Sequence, residues 1–345
     1  MTKNLVRALT LLMVVAGSVF VGNASAHELR PAYLQLTEEH EGEFKLVWRV
    51  PARGQMKLSL DVRFDGQVSQ LDNAVGRLVN GMYTESWRIG SPTGLSGTTV
   101  VVDGLEQTMT DVLMRVEWLD GRELVGRLVP ENPRYTFVAD TSADGWLKTY
   151  FVLGVEHILL GIDHLLFVLV LLLLVSGWRS LAVTISAFTL AHSVTLALSV
   201  LGWISVPQAP VEAVIALSIV FVASEILLKR RGKLTLAIRR PWLVALGFGL
   251  LHGLGFAGAL ADIGVPQSAI AGSLLAFNLG VEAGQLLFIA VVAALVLLVR
   301  KVLQSGKQAE DRVAIIGATT TMVVVYAIGG TASWWLIDRT FALVS

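Results

Sequence analysis

The chain has 345 residues, 54% of them hydrophobic and only 16% charged, with 27 basic against 27 acidic side chains and no formal net charge. A soluble domain carries roughly 25% charged residues, so this composition argues against an ordinary cytosolic enzyme, and the neutral balance gives no electrostatic basis for a nucleic-acid partner. Cysteine is absent, which removes disulfides, thiolate metal sites, iron–sulfur clusters and cysteine nucleophiles.

The N-terminus carries Lys3 and Arg7, an apolar stretch from Leu9 to Val21, and then Ala24-Ser25-Ala26. This is the basic, apolar and small-residue pattern of a secretory signal. Cleavage after Ala26 is expected, with residues 1–26 as signal peptide and His27 as the first mature residue. An uncleaved anchor helix would need about 20 apolar residues, more than this stretch supplies.

Residues 27–138 alternate apolar with polar side chains, as in Phe44 to Val50, Leu58 to Phe64, Tyr83 to Ile89, Thr98 to Val102, Val112 to Trp118 and Glu123 to Val129. Gly, Pro, Asp and Asn separate these runs, the pattern of half-buried strands joined by turns. Six to eight strands in about 110 residues predict an exported β-sandwich of immunoglobulin-like size. Trp48, Trp87 and Trp118 lie inside the runs and read as core. A mature N-terminal His27 pairs an α-amine with an imidazole, a chelating combination for a divalent metal, although a frayed terminus is the plainer explanation. His40, among Glu38, Glu39 and Glu41, reads as part of a solvated acidic turn. Residues 139–146, with Asp140, Asp144 and Gly145, read as a linker.

Residues 147–345 predict an α-helical membrane domain of six spans, at about 147–176, 181–203, 209–228, 241–262, 267–299 and 313–337. Basic residues set the orientation. The segments 177–180, 229–240 and 300–312 hold Arg179, then Lys229, Arg230, Arg231, Lys233, Arg239 and Arg240, then Arg300, Lys301, Lys307 and Arg312. The loops 204–208 and 263–266 have neither Lys nor Arg. This bias places the N-terminal domain and the C-terminus on the exported, periplasmic side of a bacterial inner membrane. The first and fifth spans are long enough to be tilted or broken.

Four of the six histidines fall in the spans: His157, His164, His192 and His252. Asp163 and Glu282 accompany them. An ionisable residue at the bilayer centre costs about 2.5–3.5 kcal/mol on the insertion scale, so several together require mutual compensation, water or a bound ion. His157, Gly161 and His164 fall at i, i+4 and i+7, which puts them on one face of a continuous helix. Asn278, Glu282 and Gln285 repeat that spacing as a second polar stripe. Gly249 and Gly253, and likewise Gly280 and Gly284, permit close helix approach. Glu212 reads as a helix-dipole partner near the start of the third span, and Glu225 as an i, i+4 salt bridge with Lys229.

A set of imidazoles and carboxylates suits Ni²⁺, Co²⁺, Zn²⁺ or Cu²⁺. Four readings follow from the residues. One is a permease with these side chains as ligands and Asn278 and Gln285 along the path. Another is an intramembrane zinc-dependent hydrolase with Asp163 or Glu282 as general base. The others are a haem-binding cytochrome and plain interhelical hydrogen bonding.

His157-Ile158-Leu159-Leu160-Gly161-Ile162-Asp163-His164 resembles the H-x5-D-H pattern of the HupE/UreJ proteins. His27-Glu28-Leu29-Arg30-Pro31, Phe188 to Ser193, Gly249 to Gly253 and Phe277 to Glu282 resemble the subgroup with an exported N-terminal domain. The second family pattern, F-H-G-x-[A/V]-H-G-x-E, keeps only Leu251-His252-Gly253, with Phe256 and Ala259 at its later His and Glu positions. The resemblance implies a metal permease with nickel as the favoured substrate. His157, Asp163, His164, His192, His252 and Glu282 are then the expected metal-site residues. The expected partners are the metal ion, the lipid bilayer and an exported metal-donor protein, with His27 as a capture point.

Overall fold

A computed structural model describes residues 31–345 except 54–55, 80–81, 109, 139–144, 264–269, 304–308, 342 and 344–345. The expected signal peptide, His27 and most of the expected linker therefore lie outside the described residues. The chain divides into two compact units, one within 28–152 and 259–276, the other within 153–258 and 277–345.

The first unit is built on strands β1 Ala32–His40, β2 Glu43–Arg53, β3 Met56–Lys57, β4 Asp61–Asp65, β5 Ser69–Gln70, β6 Val75–Val79, β7 Met82–Gly90, β8 Thr99–Asp103, β9 Val112–Glu117, β10 Glu123–Leu128 and β11 Arg134–Thr136. They form an eight-stranded sheet ordered β10-β9-β1-β2-β7-β5, with β3 beside β2 and β6 beside β7, and a three-stranded sheet ordered β11-β8-β4. β1 runs parallel to β9 and antiparallel to β2.

Alternation explains the shared core. Leu34 and Leu36 pair with Trp48 and Leu46 across the large sheet, and their side chains are buried with Phe44 and Val50 against Val100 and Val102 of the small one. The buried Trp48 indole donates to the Leu60 carbonyl at 3.3 Å, which satisfies its polar edge. Leu60 N–H also bonds back to Leu58 at 2.9 Å. That tight turn is why the expected strand from Leu58 begins only at Asp61. Trp87 and Trp118 pack against this core from partly buried positions. His40 ends β1 exposed, with Nδ1 3.7 Å from Glu43.

The helices are α1 Gly145–Leu160, α2 Ile162–Leu174, α3 Trp178–Val200, α4 Gln208–Arg230, the short α5 Leu236–Arg239, α6 Pro241–Ile263, α7 Ile270–Leu303 and α8 Ala309–Phe341. Among the described residues, α3, α4 and long segments of α7 and α8 have the length and apolarity to cross a membrane. The α1 and α2 helices do so only together, as a pair bent by 72°. Pro241–Gly255 of α6 is a shorter apolar helix.

In the helical unit, Phe167, Phe188, Val222, Ile226, Val325 and Trp335 form one buried cluster, and α4 packs extensively against α8 and α2. Glycines set the close approaches. A Cβ on Gly249 would lie 2.4 Å from the Phe188 carbonyl, and one on Gly253 2.4 Å from the His192 carbonyl, so α6 sits directly on the α3 backbone. Gly284 brings α7 onto α1 near Val155 and Ile158.

Three expectations are corrected. The helix breaks at Gly161, so His157 and His164 do not share one continuous face. Glu225 does not form the expected i, i+4 bridge: its carboxylate accepts from Thr235. Lys229 instead reaches the Leu174 carbonyl at 2.5 Å and Ser176 Oγ at 2.9 Å, capping the end of α2. Glu212 lies beyond the first turn of α4 and faces Arg339 Nε at 3.5 Å, with Arg339 also donating to the Glu212 carbonyl at 3.1 Å.

Candidate metal centre

The break between α1 and α2 builds the centre. Gly161 takes φ −75° and ψ 94°, outside the helical region, which ends α1 and starts a new helix at Ile162. A Cβ there would lie 2.6 Å from the His157 carbonyl and 2.8 Å from His164 Nδ1. Only glycine lets the chain fold this tightly between the two histidines. The ring centroids of His157 and His164 are consequently 4.5 Å apart.

A third imidazole, His192, comes from α3. One ligand atom from each of His157, His164 and His192 lies within 4.8 Å of the other two. An ion at the middle of such a triangle would be no more than about 2.8 Å from each nitrogen, against ~2.0–2.1 Å for a zinc–imidazole bond. Inward movement of roughly 0.7 Å per side chain completes the bonds, within the reach of small rotamer adjustments.

Polar partners hold the rings of His164, His192 and His252. Asp163 Oδ1 accepts the His164 backbone N–H at 2.9 Å and lies 3.1 Å from its Nδ1. The carboxylate thus complements the N-terminal dipole of α2 and holds the ring of its own neighbour. His192 Nδ1 lies 3.4 Å from Asn278 Oδ1 on α7, and His192 Nε2 is buried with no hydrogen-bond partner among the described residues. His252 lies beside the triad, its ring centroid 5.3 Å from that of His164, and its Nε2 is 2.9 Å from Ser218 Oγ.

Glu282 and Gln285 meet α3 instead of the three nitrogens. Ser186 donates to Glu282 Oε1 at 2.8 Å, and Thr189 to Gln285 Oε1 at 3.1 Å. With Asn278 on His192, all three members of the α7 stripe are paired with α3. The buried members of the group are Asp163, His164, His192, His252, Asn278 and Gln285, whereas His157 and Glu282 are partly covered.

Sequence reasoning missed Ser218 and Ser186. Ser218 is the lone polar residue between Ala213 and Ala223, a signal that a search for ionisable groups passes over. The aromatic packing around His252 was also missed: Phe167 and Phe188 lie 5.0 and 5.1 Å from its ring.

Residues 134–339, well over half of the chain, match the family model described as HupE / UreJ protein. The chain belongs to the HupE/UreJ family. The match contains every residue of the histidine centre, from His157 to Gln285. Neither a curated protein nor a solved structure matches the chain.

Proposed function

We propose that this HupE/UreJ protein is a permease that carries a divalent transition-metal ion across the membrane, with nickel the favoured substrate and cobalt, zinc or copper(II) the alternatives. The observation that carries the reading is the convergence of His157, His164 and His192 from α1, α2 and α3 to within 4.8 Å. Neutral imidazoles replace water around the cation, and the Asp163 carboxylate, held against His164, offsets part of its charge. The C-terminal end of α1 adds a favourable dipole for a cation at the break. Nitrogen and oxygen donors without any thiolate select borderline divalent ions over copper(I).

In this reading the helical part makes six spans, with α6 as the fourth, and the ion enters from the exported side. The β region is an immunoglobulin-like exported sandwich that collects metal or docks a donor protein, with His27 as its capture point. His157, His164 and His192 are the ligands, and His252 is a further imidazole beside them. Asp163 neutralises and orients. Asn278 and Gln285 line the path, and Glu282 stands on its wall through Ser186. Family membership supports a nickel- or cobalt-related transport role.

A zinc-dependent hydrolase is the second reading, because three imidazoles leave a fourth zinc position for water. Both candidate bases are already engaged, Asp163 by His164 and Glu282 by Ser186, which favours transport.

Reconstitution into liposomes tests the proposal. Wild-type protein is expected to take up Ni²⁺ or Co²⁺, with His157→Ala and Asp163→Asn strongly impaired. Wild-type uptake in both variants rejects the site. Metal-dependent hydrolysis of lipid or peptide by the purified protein, without ion flux, selects the enzyme.

A further inference from the structure

Ser218 is fully buried on α4, and its hydroxyl lies 2.6 Å from the Ile215 carbonyl and 2.9 Å from His252 Nε2. A carbonyl only accepts, and a serine hydroxyl carries one hydrogen. With that hydrogen on Ile215, the oxygen offers His252 a lone pair. His252 then carries its proton on Nε2 and a lone pair on Nδ1. The Nδ1 atom is buried and has no hydrogen-bond partner among the described residues, and none of the His252 side chain is exposed. The opposite tautomer would bury an N–H without an acceptor, whereas a bare lone pair is what a cation uses.

His252 stands outside the group of three mutually close ligand atoms. Among the described residues, its ring contact with that group is to His164. His164 is in ring contact with His157 at 4.5 Å, His192 at 6.5 Å and His252 at 5.3 Å. His252 also meets Phe167 and Phe188, and Phe188 stacks on His192 as well at 6.2 Å, so aromatic rings line the space between His252 and the triad.

Resting on the transport reading above, we propose that Ser218 is a positioning residue that sets His252 as a second ligand station, which receives the ion from the triad through the shared His164. The ion exchanges a triad nitrogen for His252 Nδ1 while His164 remains bound. Because His164 belongs to both stations, they hold one ion in turn. Ser218 touches no ion itself. It fixes which nitrogen of His252 is available, in the manner of outer hydrogen-bond partners of metal-bound imidazoles.

The test compares wild type, Ser218→Ala and Ser218→Thr as purified full-length proteins. Four quantities are read: Co²⁺ affinity by competition titration, the visible spectrum of bound Co²⁺, the concentration dependence of Co²⁺ uptake into liposomes, and the ¹⁵N-histidine spectrum. Ser218→Ala is expected to keep the triad's spectrum and an affinity within about threefold of wild type. Its maximal uptake rate falls roughly tenfold or more, the size of effect seen when such outer partners are removed. Ser218→Thr, which keeps the hydroxyl, restores most of the rate. In ¹⁵N-histidine spectra, the His252 resonance, assigned by its loss in His252→Gln, shows the proton on Nε2 in wild type and loses that preference in Ser218→Ala. Wild-type uptake by Ser218→Ala, or equal loss in Ser218→Ala and Ser218→Thr, overturns the second station. If wild type itself binds no Co²⁺, the transport reading falls with it, so the two failures are distinguishable.

Discussion

Replacing Gly161 by alanine is the most direct test of how the broken helix makes the centre. The new Cβ would sit 2.6 Å from the His157 carbonyl and 2.8 Å from His164 Nδ1. Ordinary van der Waals contact for such atoms begins near 3.4 Å, so the carbonyl must retreat by about 0.8 Å and the ring by about 0.6 Å, shifts that overpacking makes at roughly 1–3 kcal/mol. Alanine also favours helical backbone over glycine by about 1 kcal/mol, which pulls the 72° bend towards a continuous helix. Both effects act in the same direction, parting His157 from His164. If that strain is relieved at the expense of ion binding, 1–3 kcal/mol corresponds to about 5- to 150-fold weaker Co²⁺ affinity, at 1.4 kcal/mol per tenfold. The assay is competition titration of the purified protein, with Gly247→Ala as control because a Cβ at Gly247 meets nothing within 4 Å. Wild-type affinity and an unchanged Co²⁺ spectrum in Gly161→Ala would refute the reasoning.

Three further outcomes are expected. Glu282→Gln should change Co²⁺ affinity by no more than about threefold, because its carboxylate is held by Ser186 and stands apart from the three mutually close nitrogens; a loss as large as that of His157→Ala would make Glu282 a ligand. Gly253→Ala, whose Cβ would lie 2.2 Å from Thr195 Oγ1 and 2.4 Å from the His192 carbonyl, should destabilise the protein by about 1–3 kcal/mol and lower its melting temperature in detergent, whereas an unchanged melt would refute the close α3–α6 contact. In the β unit, the backbone N–H and guanidinium of Arg88 hold the Asp72 carboxyl below its ordinary value of 3.8. A lowered folded value means that this contribution is present above pH 3.8 and is lost as pH falls through the folded value. Asp72→Asn should therefore speed exchange of the Arg88 amide at neutral pH, with the difference from wild type closing at lower pH; a difference that persists at the acid end would assign it to packing.

Much of the candidate site was legible because histidines and carboxylates inside apolar runs stand out in a bilayer, where an uncompensated ionisable group is costly. His157, His164, His192 and His252 could be named from that alone. The polar stripe Asn278, Glu282 and Gln285 was equally visible from its helical spacing, but not that all three would meet α3. Ser218 escaped notice because a lone serine in a span is a cheap and common residue whose hydroxyl can bond its own helix, as it does to Ile215. The sixth expected span ends at residue 337, yet α8 continues through Arg339 and carries it to Glu212.

Local chemistry accounts for what composition and periodicity determined: alternating residues made strands, apolar runs made helices, and glycines marked the close contacts. Each depends on neighbours a few positions away, which is the information a linear pattern holds. The tertiary structure decided the 72° break at Gly161, the pairing of Asp163 with its own neighbour, and the separation of Glu282 from the three nitrogens. Those outcomes turn on atoms brought within a few ångströms from residues as far apart as Ser186 and Glu282 or Ser218 and His252, and no periodicity along one helix encodes which face of another it will meet.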